Sequence, residues 1–176
     1  MRHKQLNNSQ SNSKGFTLVE LIAVVAIISM IAVYITIEIN QSSDDAKIGL
    51  ATAFLTSNVP GAISSFRARH MSSCRAIDDG GTIGGETYTE ADDATKANLV
   101  ARGLAANTPW DDDWTAAFDD DERNITITFP VSGTNAFSVA QDLVTNIDGR
   151  SQVVSIEHDV TDGATAGNVT IVYSCS

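Results

Sequence analysis

The 176-residue chain is poor in the residues from which most chemical sites are built. It has two cysteines, Cys74 and Cys175, without a CxxC or CxxxxH neighbour, so a four-ligand zinc site is poorly supported. Its three histidines, His3, His70 and His158, are scattered outside any HExxH or triad-like context. No Ser-His-Asp set and no phosphate-binding loop stands out. These absences argue against an enzyme, and no cofactor is expected. Basic residues are scarce as well: 11 against 22 acidic ones, a formal charge of −11. Arg2, Lys4 and Lys14 all fall within the first fifteen residues, where there is no acid, so the remainder carries 8 basic against 22 acidic residues, a net −14. Such a body offers no basic face to a nucleic acid, and nucleic acid is excluded as a partner. An acidic surface of this kind reads first as solvated. Proline is lacking before Pro60, so nothing there interrupts a long helix.

What the chain does have is one long apolar run. Residues 1–15, MRHKQLNNSQSNSKG, are short, polar and basic, and residues 16–37, FTLVELIAVVAIISMIAVYITI, are apolar almost throughout with Glu20 as the one charge. As a helix, 22 residues at ~1.5 Å each extend about 33 Å, enough for a hydrocarbon core of about 30 Å. Bases precede the span, and Glu38, Asp44 and Asp45 follow it. The positive-inside tendency therefore keeps the N-terminus in the cytoplasm and exports the rest. A conventional secretory signal fits poorly, because the run is too long and EINQSSDDAK follows it in place of small residues at a cleavage site. A plain signal anchor explains everything except Glu20. A carboxylate in a spanning segment costs roughly 2.5–3.5 kcal/mol at a helix centre, less near an end, and points to a function. Export also places the cysteines in an oxidising compartment; their spacing alone leaves the pairing open, but their even number there favours a disulfide.

Residues 14–20, KGFTLVE, resemble the cleavage and methylation motif of type IV prepilins and pseudopilins: a basic residue, glycine, an aromatic, glutamate at the fifth mature position, and an apolar span. The resemblance is firm over residues 14–40 and looser beyond. It implies that a membrane aspartyl protease, prepilin peptidase, cuts between Gly15 and Phe16 and that Phe16 becomes N-methylated. It also implies that Glu20 pairs in the assembled filament with the N-terminal amine of a neighbouring subunit. An intrasubunit contact of Glu20 with the amine of Phe16 is also compatible with i, i+4 spacing. Many filament-forming members carry a helix-breaking glycine and proline within the span. Ser29 and Ile37 stand in those places here, so a more continuous helix is expected. The family further implies self-association into a helical polymer and an inner-membrane assembly platform as partner. The subunit would be single-pass in the inner membrane before assembly and extracellular afterwards.

Beyond the span, apolar residues crowd Ala46 to Leu55, and Asn58-Val59-Pro60-Gly61 reads as a breaker. The helix is either one kinked rod to about His70 or a long helix followed by a shorter one. Asp78–Glu86, DDGGTIGGE, reads as a loop, Thr95–Ala105 and Ala136–Ile147 as helices, and Asp148-Gly149 and Asp162-Gly163 as turns. Trp114–Phe118, Asn124–Phe129, Val153–His158 and Val169–Ser174 read as strands, the alternation in ITITF and NVTIVYS being clearest. The expected fold is α+β, a long N-terminal helix packed on a C-terminal antiparallel sheet. Its parts are a leader at 1–15, a membrane and polymerisation helix at 16–37, its periplasmic continuation at 38–71 and a head at 72–176. Pairing Cys74 with Cys175 would staple the last strand to the helix end, as in the disulfide-bounded region of pilins.

Two further features bear on subtype and metal. NTPWDDDWTAAF partly resembles the Asn-Pro-aromatic-Gly-Gly-x-Trp segment of type IVb pilins, with Asp111 and Asp112 where the glycines would be. That match and the fifteen-residue leader point to type IVb, whereas an aromatic at Phe16 is more typical of type IVa. The acidic clusters around Trp114–Phe118 supply Asp111, Asp113, Asp119 and Asp121 as calcium candidates beside the plainer reading of a solvated loop, with no EF-hand spacing. Three functions follow: a structural pilus subunit, a pseudopilin of a type II secretion system, and an anchored binding domain that never polymerises.

Overall fold

No glycine or proline stands between Phe16 and Ile48, so no residue there carries the larger helix penalties. The structure, a computed structural model, describes residues 16–175, with the backbone alone over 37–42. Its first helix, α1, runs unbroken from Leu18 to Ala53, through Ser29 and Ile37. The chain divides into two units at Ser43/Asp44, and each is taken by itself.

In the first unit, apolar side chains surround α1 on all sides, and every residue from 16 to 36 is exposed. A helix apolar all round belongs in a membrane or a core. Leu18–Thr36 is long and apolar enough to cross a membrane. Its hydroxyls turn inward: Ser29 Oγ donates to the Val25 carbonyl at 2.8 Å and Thr36 Oγ1 to that of Ala32 at 2.9 Å. Neither therefore presents an unsatisfied donor to lipid.

The second unit begins within α1 and has its own core. After Ala53 the helix widens into a π turn, Phe54–Asn58, and resumes as α2, Val59–Arg69. The expected break at Asn58–Gly61 is absent; Val59 keeps helical angles ahead of Pro60. The π turn is what accommodates the proline. The Val59 N–H bonds to the Phe54 carbonyl, five residues back. In that register the Leu55 carbonyl would look to residue 60, which as proline has no N–H. Tyr173 Oη donates to it instead, at 2.7 Å in the core. Helix α2 closes with the Ser72 N–H on the Arg67 carbonyl (2.8 Å) and Met71 at φ 53°, a Schellman end.

A short hairpin follows, β1 (Gly81–Ile83) and β2 (Glu86–Tyr88), where the sequence reads as a loop. Its turn is Gly84-Gly85, with φ of 63° and 97°, the positive pair that a two-residue hairpin requires. Helix α3 spans Ala91–Val100, four residues earlier than expected. Asp92 and Asp93 favour a start there because acids stabilise the positive end of a helix.

Four strands, β3 (Thr115–Asp119), β4 (Asn124–Ser132), β5 (Val153–His158) and β6 (Ala166–Ser174), form an antiparallel sheet in the order β3-β4-β6-β5. Alternation aims one face of β4 and β6 inward: Ile125 lies opposite Tyr173, Ile127 opposite Ile171 and Phe129 opposite Val169, all buried. Strand β4 continues through Pro130. The pairing with β3 ends at Thr115 and Thr128, so β4 is an edge on that side and a residue without an N–H is tolerated. Helix α4, Ala136–Ile147, buries Ala136, Val139, Ala140, Leu143 and Ile147 at helical spacing and packs on β4, β5 and β6. Phe54, Leu55, Val59, Ile63 and Phe66 share the same core. The outcome is a pilin-like α+β layout, an apolar N-terminal helix followed by further helices and a four-stranded antiparallel sheet.

Candidate functional site

The carboxylate that the apolar span contains lies in the first turn of α1. A helix leaves its first four N–H groups without internal partners. Here Thr17 precedes the helix and Glu20 sits three residues on. Glu20 Oε2 accepts the Thr17 N–H at 2.8 Å and the Thr17 hydroxyl at 2.9 Å, and Thr17 Oγ1 accepts the Glu20 N–H at 3.3 Å. This is a capping box, the reciprocal arrangement written in sequence as Thr-x-x-Glu. Thr17-Leu-Val-Glu20 carries that signature, and Thr17 is the residue that reading from the span alone overlooks.

The geometry lowers the cost of an acid in an apolar helix. Hydrogen bonds to a charged group are stronger than those between neutral ones, and they offset part of the penalty on a carboxylate within an apolar span. Both bonds that Glu20 accepts end on Oε2, so Oε1 has no donor among the described residues. One oxygen holds the helix start and the other is open to a cation. Among the described residues the side chain of Glu20 is bonded by Thr17, and Phe16 beside it is 87% exposed. Gly15 and the leader 1–15 lie outside the described residues.

Cys74, just after α2, and Cys175, just after β6, form a disulfide with Cα atoms 6.2 Å apart across 101 residues of sequence. The Cys175 N–H also bonds to the carbonyl of Arg123, in the turn between β3 and β4, at 2.9 Å. Thus the last strand is tied both to the end of α2 and to the start of the neighbouring strand.

The calcium candidates are not brought together. Asp111 accepts from Asn107 at 2.9 Å, and Asp113 pairs with Lys96. Asp119 Oδ1 takes the N–H groups of Asp121 and Glu122, both at 2.9 Å, which shapes the turn between β3 and β4. Among the described residues no three His, Cys, Asp or Glu side chains are grouped as metal ligands. Asp111 and Asp119 instead hold their own loops, and Asp113 ties its loop to α3. Asp112 likewise accepts from Ser132 Oγ at 2.8 Å, while Trp114 is buried with its Nε1 donating to the Ala105 carbonyl at 2.9 Å. His70 stacks on Phe66, and the ring of His158 lies edge-on to Phe137.

Compared with known proteins, residues 10–36 match the family described as the prokaryotic N-terminal methylation motif. No curated protein and no solved structure matches the chain. The matched residues take in the basic leader's end, the capping box and the whole exposed apolar helix. The chain therefore carries a prepilin-type processing motif.

Proposed function

We propose that this chain is a prepilin of the type IV pilin and pseudopilin superfamily whose mature form is a structural subunit of a type IV pilus. One observation carries the reading: a methylation motif leads directly into a fully exposed apolar helix whose one carboxylate is held at its start. Prepilin peptidase cuts between Gly15 and Phe16, and Phe16 is N-methylated. The subunit waits in the inner membrane with its C-terminal body in the periplasm. An assembly platform then draws it into an extracellular filament used for adhesion, aggregation, motility or conjugation.

Cleavage turns the Phe16 nitrogen into a cation. In a packed bundle of apolar helices, the amine of one copy meets the open oxygen of Glu20 on the next. Opposite charges in low dielectric attract strongly, and removing one partner leaves the other buried and uncompensated. The pair thus favours one register among many that greasy helices alone would allow. Glu20→Ala is expected to leave export and cleavage intact and to reduce filament yield sharply, as counted by electron microscopy. Filaments at the unaltered number in Glu20→Ala cells would remove the pairing role.

Within the superfamily, the disulfide supports a pilin over a pseudopilin. Asp111 supports the type IVb side: it stands where that subtype has glycine and holds φ 66°, a conformation that favours glycine. Deletion of the chain discriminates between the two classes. Loss of surface filaments is the expected result, and a secretion defect with filaments retained means a pseudopilin.

A further inference from the structure

Charge is unevenly spread over the second unit. Of the 8 basic residues that follow the leader, three, Arg67, Arg75 and Arg123, line one cavity of about 350 Å³ beside the disulfide, with Ser72 and Ser73. A different element fixes each arginine. Arg67 lies in the last turn of α2, its Nε donating to the Ser72 carbonyl at 3.3 Å. Arg75 adjoins Cys74, and Arg123 occupies the turn between β3 and β4. Among the described residues Asp120 is the one carboxylate in the lining, and it pairs with Arg75 at 3.2 Å. Among the described residues neither Arg67 nor Arg123 has a carboxylate partner. The negative end of α2 accounts for a cation at Arg67 and Asp120 accounts for Arg75, but neither accounts for Arg123. Arg123 also holds φ 57° and Ser72 holds 63°.

The opposite charge is concentrated elsewhere. Asp78, Asp79, Glu86, Glu90, Asp92 and Asp93 stand on the hairpin and the first turn of α3, with no basic residue from Ala76 to Thr95. Among the described residues none of the six forms an ion pair. Nor does any of their carboxylates accept a hydrogen bond among the described residues, whereas those of Asp111, Asp112, Asp113 and Asp119 each hold a partner. A filament must pack copies of a body whose residues after the leader sum to −14, and like-charged surfaces brought together repel. A cationic cavity and an acidic segment at different places on one body relieve this by a head-to-tail contact, the type that propagates into an open filament.

We propose that the cavity of Arg67, Arg75 and Arg123 is a docking site for a second copy of this chain, whose acidic segment Asp78–Asp93 it receives. The proposal rests on the polymer reading above. Its test is charge reversal in cells that hold the assembly machinery. Arg67→Glu with Arg123→Glu lowers filament number at least about tenfold, while the detergent-extracted chain keeps its Tm and its processed N-terminus. Glu86→Arg with Asp93→Arg, which leaves the cavity untouched, lowers it as far, and all four changes together restore it. Unchanged filament number in the acidic-segment variant, or a fourfold variant as poor as either pair, overturns the proposal. So does inorganic phosphate binding to the full chain that the arginine variant abolishes while filaments persist, because the cavity is then a small-oxyanion site. An unaltered chain that forms no filaments overturns the polymer reading itself.

Discussion

The two units treat apolar side chains in opposite ways. Along α1, Leu18 and Val19 are each 74% exposed, and nothing between Phe16 and Thr36 is buried. In the second unit Leu55, Ile125, Ile127, Leu143 and Ile171 are fully buried. Both places hold large aliphatic side chains, but in different patterns. Apolar residues on every side of a helix have no polar back to turn to water, whereas the alternation of β4 and the stripe of α4 each leave one wet face. Apolar surface is worth about 25 cal/mol per Å² when removed from water, and soluble monomers seldom expose patches beyond a few hundred Å². The first unit therefore depends on lipid or on other copies of itself, and the second can be satisfied from within.

The contrast makes the two units separable by mutation. The largest effect is expected from Cys74→Ser with Cys175→Ser. Opening a 101-residue loop removes up to about 4.7 kcal/mol in the chain-entropy model. Thermal unfolding of the detergent-extracted chain should fall by many degrees, with the helical signal of the apolar span retained. Equal loss of both signals would mean that the units are not independent.

Next comes Tyr173→Phe, which strands the buried Leu55 carbonyl that Pro60 cannot serve. A cost of about 1–3 kcal/mol is expected. Combining it with Pro60→Ala, which returns an N–H, should recover part of that in a double-mutant cycle. Strict additivity would show that the proline does not create the need for the tyrosine. On the other unit, Thr17→Ala removes both the cap and the hold on Glu20. It should cost about 0.5–2 kcal/mol of local helix stability, read as faster amide exchange at Leu18–Leu21 with Tm unmoved.

The smallest effect is pH-dependent. Asp159 lies below the usual carboxylate range because the Asn168 backbone N–H and then its side chain bond to it. A depressed folded pKa contributes stability above the unfolded pKa that is lost as pH falls through the folded one. Asp159→Asn should therefore lower Tm slightly at neutral pH, with the gap closing in acid. A gap independent of pH would assign the effect to hydrogen-bond geometry alone.

The strands with the clearest alternation, β4 and β6, were legible in the sequence, though each runs three residues further at one end than the pattern places it. Helix α4 and strand β5 begin and end where the pattern places them. What was missed depends on partners distant in sequence. The π turn persists because Tyr173 lies 118 residues from the carbonyl it serves. Strand β6 begins at Ala166 rather than Val169, since Gly167 sits where a Cβ would meet Val160 and the Asp159 carboxylate. Strand β4 passes Pro130 only because β3 has ended. At the candidate site, Glu20 was conspicuous as a lone charge, while Thr17 was not, because a threonine among apolar residues gives no alarm until the interval to the glutamate is counted. Carboxylates clustered in sequence likewise suggested a metal site that their separate hydrogen bonds do not form.

The intact mass of the chain recovered from cells tests the central claim most directly. A mature product that begins at N-methylated Phe16, with Cys74 and Cys175 two hydrogens short of the reduced form, is the expected result. Material that still begins at Met1 in cells with active prepilin peptidase would contradict it.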